Sequence, residues 1–291
     1  MTNFPLPSPD LVNRATDRTG QATLDVLIAV GMLLLVGAAL QLRRRYGTWV
    51  PMAIVVGSTA SALIEPLPDM VAGLWYFAPG QQTIYTAYGN SLPWWTFFSY
   101  PVCYGGFGLI FWWLVERGAG RRRLAMLCVP MAVYLAVTEL FLINSVHLYT
   151  YYGPGAFRLG HFPLFICLLN TTIVLSIGTV GARLRRSMPT REQLLPAFFL
   201  PFVSMVIGLL LLPAVLFTVL HTAHPSQGLI RATTLGTMGL TVAMMYVATL
   251  FVPATGFAPI QPQITPSSAS RVISPLDIPS SSPSTHSLSS P

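Results

Sequence analysis

The sequence predicts an all-α fold, a polytopic integral membrane bundle of about seven transmembrane helices with the N-terminus outside and the C-terminus cytoplasmic. Three observations carry this. Of 291 residues, 53% are hydrophobic and only 9% charged, where a soluble domain carries about 25% charged residues. Apolar stretches that approach the ~20 residues of a spanning helix follow one another almost end to end. The arginines fall on alternate connections between them.

In chain order, residues 1–21 form a short N-terminal segment. They lack a basic start, an apolar stretch and a small-residue cleavage site in succession, so no cleaved signal peptide is expected. The membrane domain runs over 22–252, with spans at 22–42, 48–65, 94–115, 124–145, 162–182, 194–220 and 232–252. The sixth is long enough to tilt, and Pro196, Pro201 and Pro213 should kink it. Between the second and third spans, 66–93 is too broken by proline and glycine to cross and too aromatic for a solvated loop. The pattern predicts a short interfacial or re-entrant helix over 67–77 and then a folded cap. Residues 253–291 hold 8 prolines and 11 serines. They cannot bury enough apolar surface to offset ordering, so a disordered cytoplasmic tail is expected.

Orientation follows from the basic residues, all 16 of which are arginine. Arg43, Arg44 and Arg45 follow the first span, Arg117, Arg121, Arg122 and Arg123 the third, and Arg183, Arg185, Arg186 and Arg191 the fifth. With Arg271 of the tail these lie on one side, and only Arg14, Arg18, Arg158 and Arg231 lie on the other. The positive-inside rule puts the richer side in the cytoplasm and the protein in the cell membrane as a multi-pass chain. The net charge of +7 is therefore a topology signal, and no nucleic-acid partner is expected. With no lysine for a retinal Schiff base, a working rhodopsin is excluded. No internal repeat supports an inverted-repeat transporter. Cys103, Cys128 and Cys167 sit in apolar runs without ligand spacing and read as small buried hydrophobes.

The polar residues collect towards the outer side. Glu116 and Glu192 stand beside cytoplasmic arginines, solvated or paired there, and Asp10, Asp17 and Asp277 lie in the chain ends. That leaves Asp25, Glu65, Asp69 and Glu139 at or near membrane depth, where an ionisable group is costly and faces a cavity or a partner. Pro66 suits the first position of a helix, because its missing N–H would go unpaired there anyway. A helical turn from Pro66 would bring Glu65 and Asp69 within one turn of each other. Two close carboxyls in a dry site share a proton, which supplies an acid and a base together. Helix capping at the interface is the structural alternative. Glu139 falls roughly 9 Å below the outer end of the fourth span by helical rise, with no base in its own span. His147, two turns beyond Glu139, and His161, at the start of the fifth span above Asn170, are candidate bases. His221 and His224 have metal-like spacing, but no carboxylate follows, and hydrogen bonding at the interface is the expectation. No metal site and no cofactor are assigned. Tyr149, Tyr151 and Tyr152, with Trp75, Tyr76, Trp94 and Trp95, belong either to an interfacial aromatic belt or to the wall of a pocket for an apolar intermediate, cationic in the sharper form. Of these, Trp75, Trp94, Tyr151 and Tyr152 are, with Tyr85, Asn90, Asn144, His161 and Asn170, the expected substrate contacts. Glu65, Asp69, Glu139 and His147 are the expected catalytic groups.

The run Glu65-Pro66-Leu67-Pro68-Asp69, the aromatic stretch to Trp95, Tyr100-Pro101 with Tyr104-Gly105-Gly106, and Tyr151-Tyr152-Gly153 ahead of His161-Phe162-Pro163-Leu164 together resemble the AveC-type spirocyclase family. These are membrane proteins of avermectin-like macrolide biosynthesis. The likeness covers roughly 22–250 and leaves out the Pro/Ser tail. It implies closure of a spiroketal from a dihydroxy-ketone, in some members with loss of water. Glu65 or Asp69 would be the acid, and its partner or His147 the base. Such a protein needs an apolar or amphiphilic small-molecule substrate and a lipid bilayer. A membrane terpene or meroterpenoid cyclase, and a non-enzymatic lipid or small-molecule binder or transporter, remain open alternatives.

Overall fold

The computed structural model describes residues 7–258. Most of the Pro/Ser tail, and with it the expectation of disorder, lies outside them. Within them the chain is mostly helical. Six helices are long and apolar enough to cross a membrane, and seven if one bent pair counts as a span.

A short turn, α1 (Pro9–Val12), leads into α2 (Arg18–Tyr46). The Asp17 carboxylate accepts from Thr19 N at 3.0 Å and caps α2; Gly47, at φ 64°, ends it. Arg43, Arg44 and Arg45 in its last turn complement the helix dipole. The bent pair follows: α3 (Val50–Ser61), a 3₁₀ turn to Ile64, and α4 (Pro66–Ala72) at 52° to it. The third span is composite. It comprises α5 (Trp94–Tyr100), a π-turn over Pro101–Gly105 and α6 (Gly106–Glu116). Proline removes an amide donor and loosens the helical ladder there. The fourth, α7 (Arg121–Asn144), carries Pro130 inside it. The fifth is α8 (Phe165–Ser187).

The sixth predicted span is broken. α9 (Leu194–Met205) contains Pro201 and passes into a π-turn over Val206–Leu211. Pro213 then opens the separate α10 (Ala214–Leu220). The last span, α11 (Gln227–Leu250), starts on a Ser226 cap, whose hydroxyl accepts from Leu229 N at 3.2 Å.

The centre of the bundle is α8. Its most apolar window is 89% buried, against 17% for α2 and α7, which form the periphery. Its threonines satisfy their buried hydroxyls within the helix: Thr171, Thr172 and Thr179 donate to the carbonyls four residues back at 2.7–2.9 Å. Between α6 and α8, Gly178 allows contact so close that a Cβ there would stand 2.3 Å from Phe111 Cβ. Gly57 of α3 does the same against α9, 1.9 Å from the Phe198 carbonyl oxygen. Small residues at such crossings replace the hydrophobic drive that lipid removes.

The two ends of the bundle differ. At one end Glu116 is fully buried between Arg185 (3.0 Å) and Arg186 (2.8 Å), so this acid is paired. Arg185 also donates to the Tyr46 carbonyl at 2.8 Å, and Arg121 to that of Val252 at 2.6 Å. Residues 253–258 dock here as well: Phe257 lies under Arg186, 4.4 Å from ring centre to guanidinium. The segment expected to be tail from 253 on is thus packed against the bundle as far as 258.

At the other end sits a small β-cap, which corrects the all-α expectation. The short helix ends at Ala72, not 77, because Gly73 at φ 71° turns the chain out. β1 (Leu74–Tyr76) then pairs antiparallel with β4 (Tyr149–Tyr151), in the register Leu74 to Tyr151 and Tyr76 to Tyr149. β2 (Thr83–Ala87) and β3 (Asn90–Pro93) form a hairpin whose turn residues Tyr88 and Gly89 both have positive φ. β5 (Arg158–Leu159) and β6 (Phe162–Pro163) pair across Gly160.

A candidate acid site beneath the cap

The β1–β4 pairing connects the end of α4 to the end of α7. Along a strand alternate residues share a face. Leu74 and Tyr76 on one strand, and Tyr149 and Tyr151 on the other, therefore turn inward together. Below them is a cavity of about 360 Å³. Its lining brings together Glu65 and Asp69 from the start of α4, Glu139 from α7, and Asn170 from α8. Rings of Tyr76, Trp95, Tyr100, Tyr104, Tyr149 and Tyr151 make much of the wall, and aliphatic side chains from α2, α7 and α8 the rest. No arginine or histidine is among the lining residues.

The carboxyls are held by the cap and by the helical turn. Asp69 N donates to the Glu65 carbonyl at 3.1 Å, so the two residues are one turn apart, and their side chains interact. Glu65 is 9% exposed and Asp69 4%. The two carboxyls thus lie together away from water, an arrangement from which a pair can serve as acid and base. The Tyr76 hydroxyl donates to Glu65 Oε1 at 3.2 Å, and the Tyr149 hydroxyl to Glu139 Oε2 at 2.5 Å. Burial, and then the carboxylates beside them, push the Tyr76, Tyr149 and Tyr151 phenols well above the usual tyrosine range. All three are neutral O–H donors at any physiological pH.

Three polar atoms of the wall have no partner among the described residues. Asp69 Oδ2, Thr96 Oγ1 and the Tyr100 hydroxyl are buried and unbonded. Most buried polar atoms in folded proteins are paired, so these three leave hydrogen-bonding capacity open towards the cavity. Across it, Tyr104 donates to Asn170 Oδ1 at 3.0 Å, which leaves the amide N–H₂ of Asn170 as a donor. Among the described residues no three His, Cys, Asp or Glu side chains stand together as a metal site would require.

Of the residues expected from sequence, Glu65, Asp69, Glu139, Tyr151 and Asn170 converge on this cavity. The others do not. α7 stops at Asn144, so His147 leaves the helix at φ 52° and lies exposed, 3.4 Å from Arg14 and near the Ile143 carbonyl. Asn144 and His161 are exposed on the outside of the cap. Trp75, between two inward residues, faces the other side of its strand. Asn90 is buried but structural: it accepts from Tyr76 N at 3.1 Å and donates to the Leu74 carbonyl at 3.2 Å, tying the hairpin to β1. Tyr85 donates to the Leu63 carbonyl at 3.2 Å. Tyr152 points away from Tyr151 by strand alternation, and Trp94 lies on the flank of the bundle. Tyr76, Trp95 and Tyr149, expected only as belt or wall aromatics, line the cavity as well, and so do Tyr100 and Tyr104, for which the sequence suggests no contact. The signals for them were the period-two spacing of Tyr149 and Tyr151 and the one-turn spacing of Tyr100 and Tyr104.

Comparison of the chain with family models, with curated proteins and with solved structures gives no match to any of them.

Proposed function

We propose that this protein is a membrane-embedded cyclase that closes a spiroketal from a polyketide-type hydroxy-ketone by acid–base chemistry. The observation that carries this reading is the convergence of three carboxyls and an unpaired carboxyl oxygen on one ring-lined cavity without a basic side chain. The sequence likeness to AveC-type spirocyclases agrees with it. In this reading the arginine-rich end faces the cytoplasm and the cap faces outward, in the cell membrane.

The reaction needs few parts. One substrate hydroxyl adds to the ketone to give a hemiketal. The protonated member of the Glu65–Asp69 pair gives its proton to the hemiketal hydroxyl. That C–O bond breaks, water leaves, and an oxocarbenium ion remains. The second hydroxyl closes on its carbon, and the proton of that hydroxyl returns to the carboxylate just formed. One water is lost and the acid is regenerated. Ring faces of Tyr76, Trp95 and Tyr149 stabilise the cation. The dry cavity strengthens each of these interactions and keeps bulk water from the cation. Tyr100, Tyr104 and Asn170 hold substrate hydroxyls and choose the face of attack. Elimination of a further hydroxyl would use the same pair.

These hydroxyl-holding groups favour a hydroxy-ketone over the bare alkene of a terpene or meroterpenoid cyclase. A lipid or small-molecule carrier with the same cavity would bind without turnover. The test is purified protein in nanodiscs, given a dihydroxy-ketone and no added cofactor. The expected result is a single spiroketal enantiomer by chiral chromatography and the loss of one water by mass. Binding without product, or racemic product at the background rate, would remove the enzyme reading.

A further inference from the structure

A second concavity opens on the flank of the bundle, between α2 and α5, with a volume of about 710 Å³. Its floor is apolar, from Ala29, Met32, Leu33 and Val36 on one side to Phe98 on the other. Trp94 stacks parallel to Phe98 at 5.8 Å, and both are well exposed, at 45% and 38%. The groove has two polar lining groups, Asp25 and Gln82, both at its upper end. The Asp25 carboxyl makes no hydrogen bond or ion pair among the described residues. A lone carboxyl on a lipid-facing groove is costly without a partner.

The groove is continuous with the acid cavity. Ile28 and Trp95 line both, so one side chain from each helix separates them. Trp95 is pinned, at 5.9 Å on Tyr149 and 5.6 Å from Tyr76. Ile28 is buried at the junction, 7% exposed. Below this point the seam is shut: a Cβ on Gly31 would stand 3.1 Å from Val102 Cγ1. Above it, Gln82 N donates to Gln21 Oε1 at 3.2 Å. The acid cavity, at about 360 Å³, lies near the lower end of the ~300–1,000 Å³ of drug-sized pockets. A long substrate must leave part of itself outside.

We propose that this groove is the lateral docking site through which a neutral, hydroxylated, lipophilic substrate passes from the bilayer to the acid cavity. Its apolar chain lies along Met32, Leu33 and Phe98, one hydroxyl donates to Asp25, and the reacting segment passes between Ile28 and Trp95. The identity of the occupant rests on the cyclase reading; the groove's selectivity is measurable without it.

The test uses the full chain in phosphatidylcholine nanodiscs and two photoprobes, a diazirine-bearing long-chain diol and a diazirine-bearing phosphatidylcholine. The diol should label residues 25–36 and 94–98 preferentially, and Ala29→Trp, which fills the groove at an exposed position, should remove most of that label. Asp25→Asn should weaken it. Met32→Trp serves if Ala29→Trp does not fold. Diol label spread evenly over α2, α7 and α11, or unchanged in both filled variants, overturns the proposal. So does equal focusing of the phosphatidylcholine probe, which would make the groove an ordinary lipid site. In turnover, Ala29→Trp should lower kcat/KM for a long-chain hydroxy-ketone by about tenfold or more, with kcat and the turnover of a short soluble analogue unchanged. Groove labelling without any ring closure would refute the cyclase reading alone. Ring closure without groove labelling would refute this inference alone.

Discussion

The Tyr149 hydroxyl donates to Glu139 Oε2 at 2.5 Å, and this one bond ties the cap strand to the C-terminal part of α7. It is the contact that fixes Glu139 in the cavity wall. Tyr149→Phe should remove the bond, leave Glu139 without its donor and lower thermal stability by about 1–3 kcal/mol. Glu139→Gln keeps an acceptor for Tyr149, so its stability should stay near wild type and its turnover should fall less than that of Tyr149→Phe. Thermal unfolding and turnover of the two variants side by side would check this. A Gln variant as unstable as the Phe variant would mean that charge on Glu139, not the bond, holds the cap.

The buried phenols predict an alkaline limb of stability. Tyr76, Tyr149 and Tyr151 are raised in the folded protein by burial and by neighbouring carboxylates. The unfolded chain loses these protons near pH ~10, while the folded one keeps them. The folded state then binds more protons, so their contribution is fully present below the unfolded value and is lost as pH rises above it. Unfolding midpoints should fall as pH rises past ~10, and Tyr151→Phe should flatten part of the fall. A flat profile in wild type would show that the cap stays wet.

Helix crossings give a matched pair of glycine substitutions. A Cβ on Gly57 would meet the Phe198 carbonyl oxygen at 1.9 Å, whereas one on Gly37 meets nothing within 4 Å. Gly57→Ala should cost about 1–3 kcal/mol by overpacking. Gly37→Ala should be neutral or slightly stabilising, since alanine is the better helix former. Equal effects in thermal unfolding would contradict the α3–α9 contact.

Topology is open to reporter fusions. The arginine-bearing ends gather at the Glu116 end of the bundle, and the cap lies at the other. A reporter active only in the cytoplasm should work after Phe251 and be silent at Gln81. Activity at Gln81 would invert the orientation and put the acid site in the inner half of the membrane.

The spans were legible because a stretch of about 20 apolar residues is a strong and local signal. Glu65 and Asp69 were legible for a similar reason: Pro66 and a one-turn spacing suffice to bring them together. The cap was not. Leu74–Tyr76 is three residues long, and it is a strand only because Tyr149–Tyr151, far along the chain, lies beside it. That pairing decides which aromatic residues face the acids, so Tyr149 and Tyr151 turn inward and Tyr152 and Trp75 do not. His147 misled for the opposite reason. Its spacing from Glu139 assumes a continuous helix, and α7 ends three residues before it. The break at Val206–Leu211 was foreshadowed by its prolines, but proline content does not distinguish a kink from a π-turn.

The acid pair itself gives the sharpest comparison. Asp69 carries an unpaired buried oxygen, whereas Glu65 accepts from Tyr76. In the proposed mechanism the two share one proton, so removing either carboxyl removes the acid–base couple. Glu65→Gln and Asp69→Asn should each lower turnover by roughly 100-fold or more, the common scale for general acid–base groups. Stability should move the other way in the two cases. Replacing one of two facing carboxyls with an amide relieves the burial of charge, so both variants should unfold at or above the wild-type temperature; Tyr76→Phe, which orphans Glu65, should unfold below it. Inactive but well-folded variants at both positions support an acid–base pair. Near-normal turnover in both would take the proton donor away from α4 and leave Glu139, with Tyr149, as the acid within the cavity. Variants that lose stability yet keep their turnover would show that the pair caps α4 and does no chemistry.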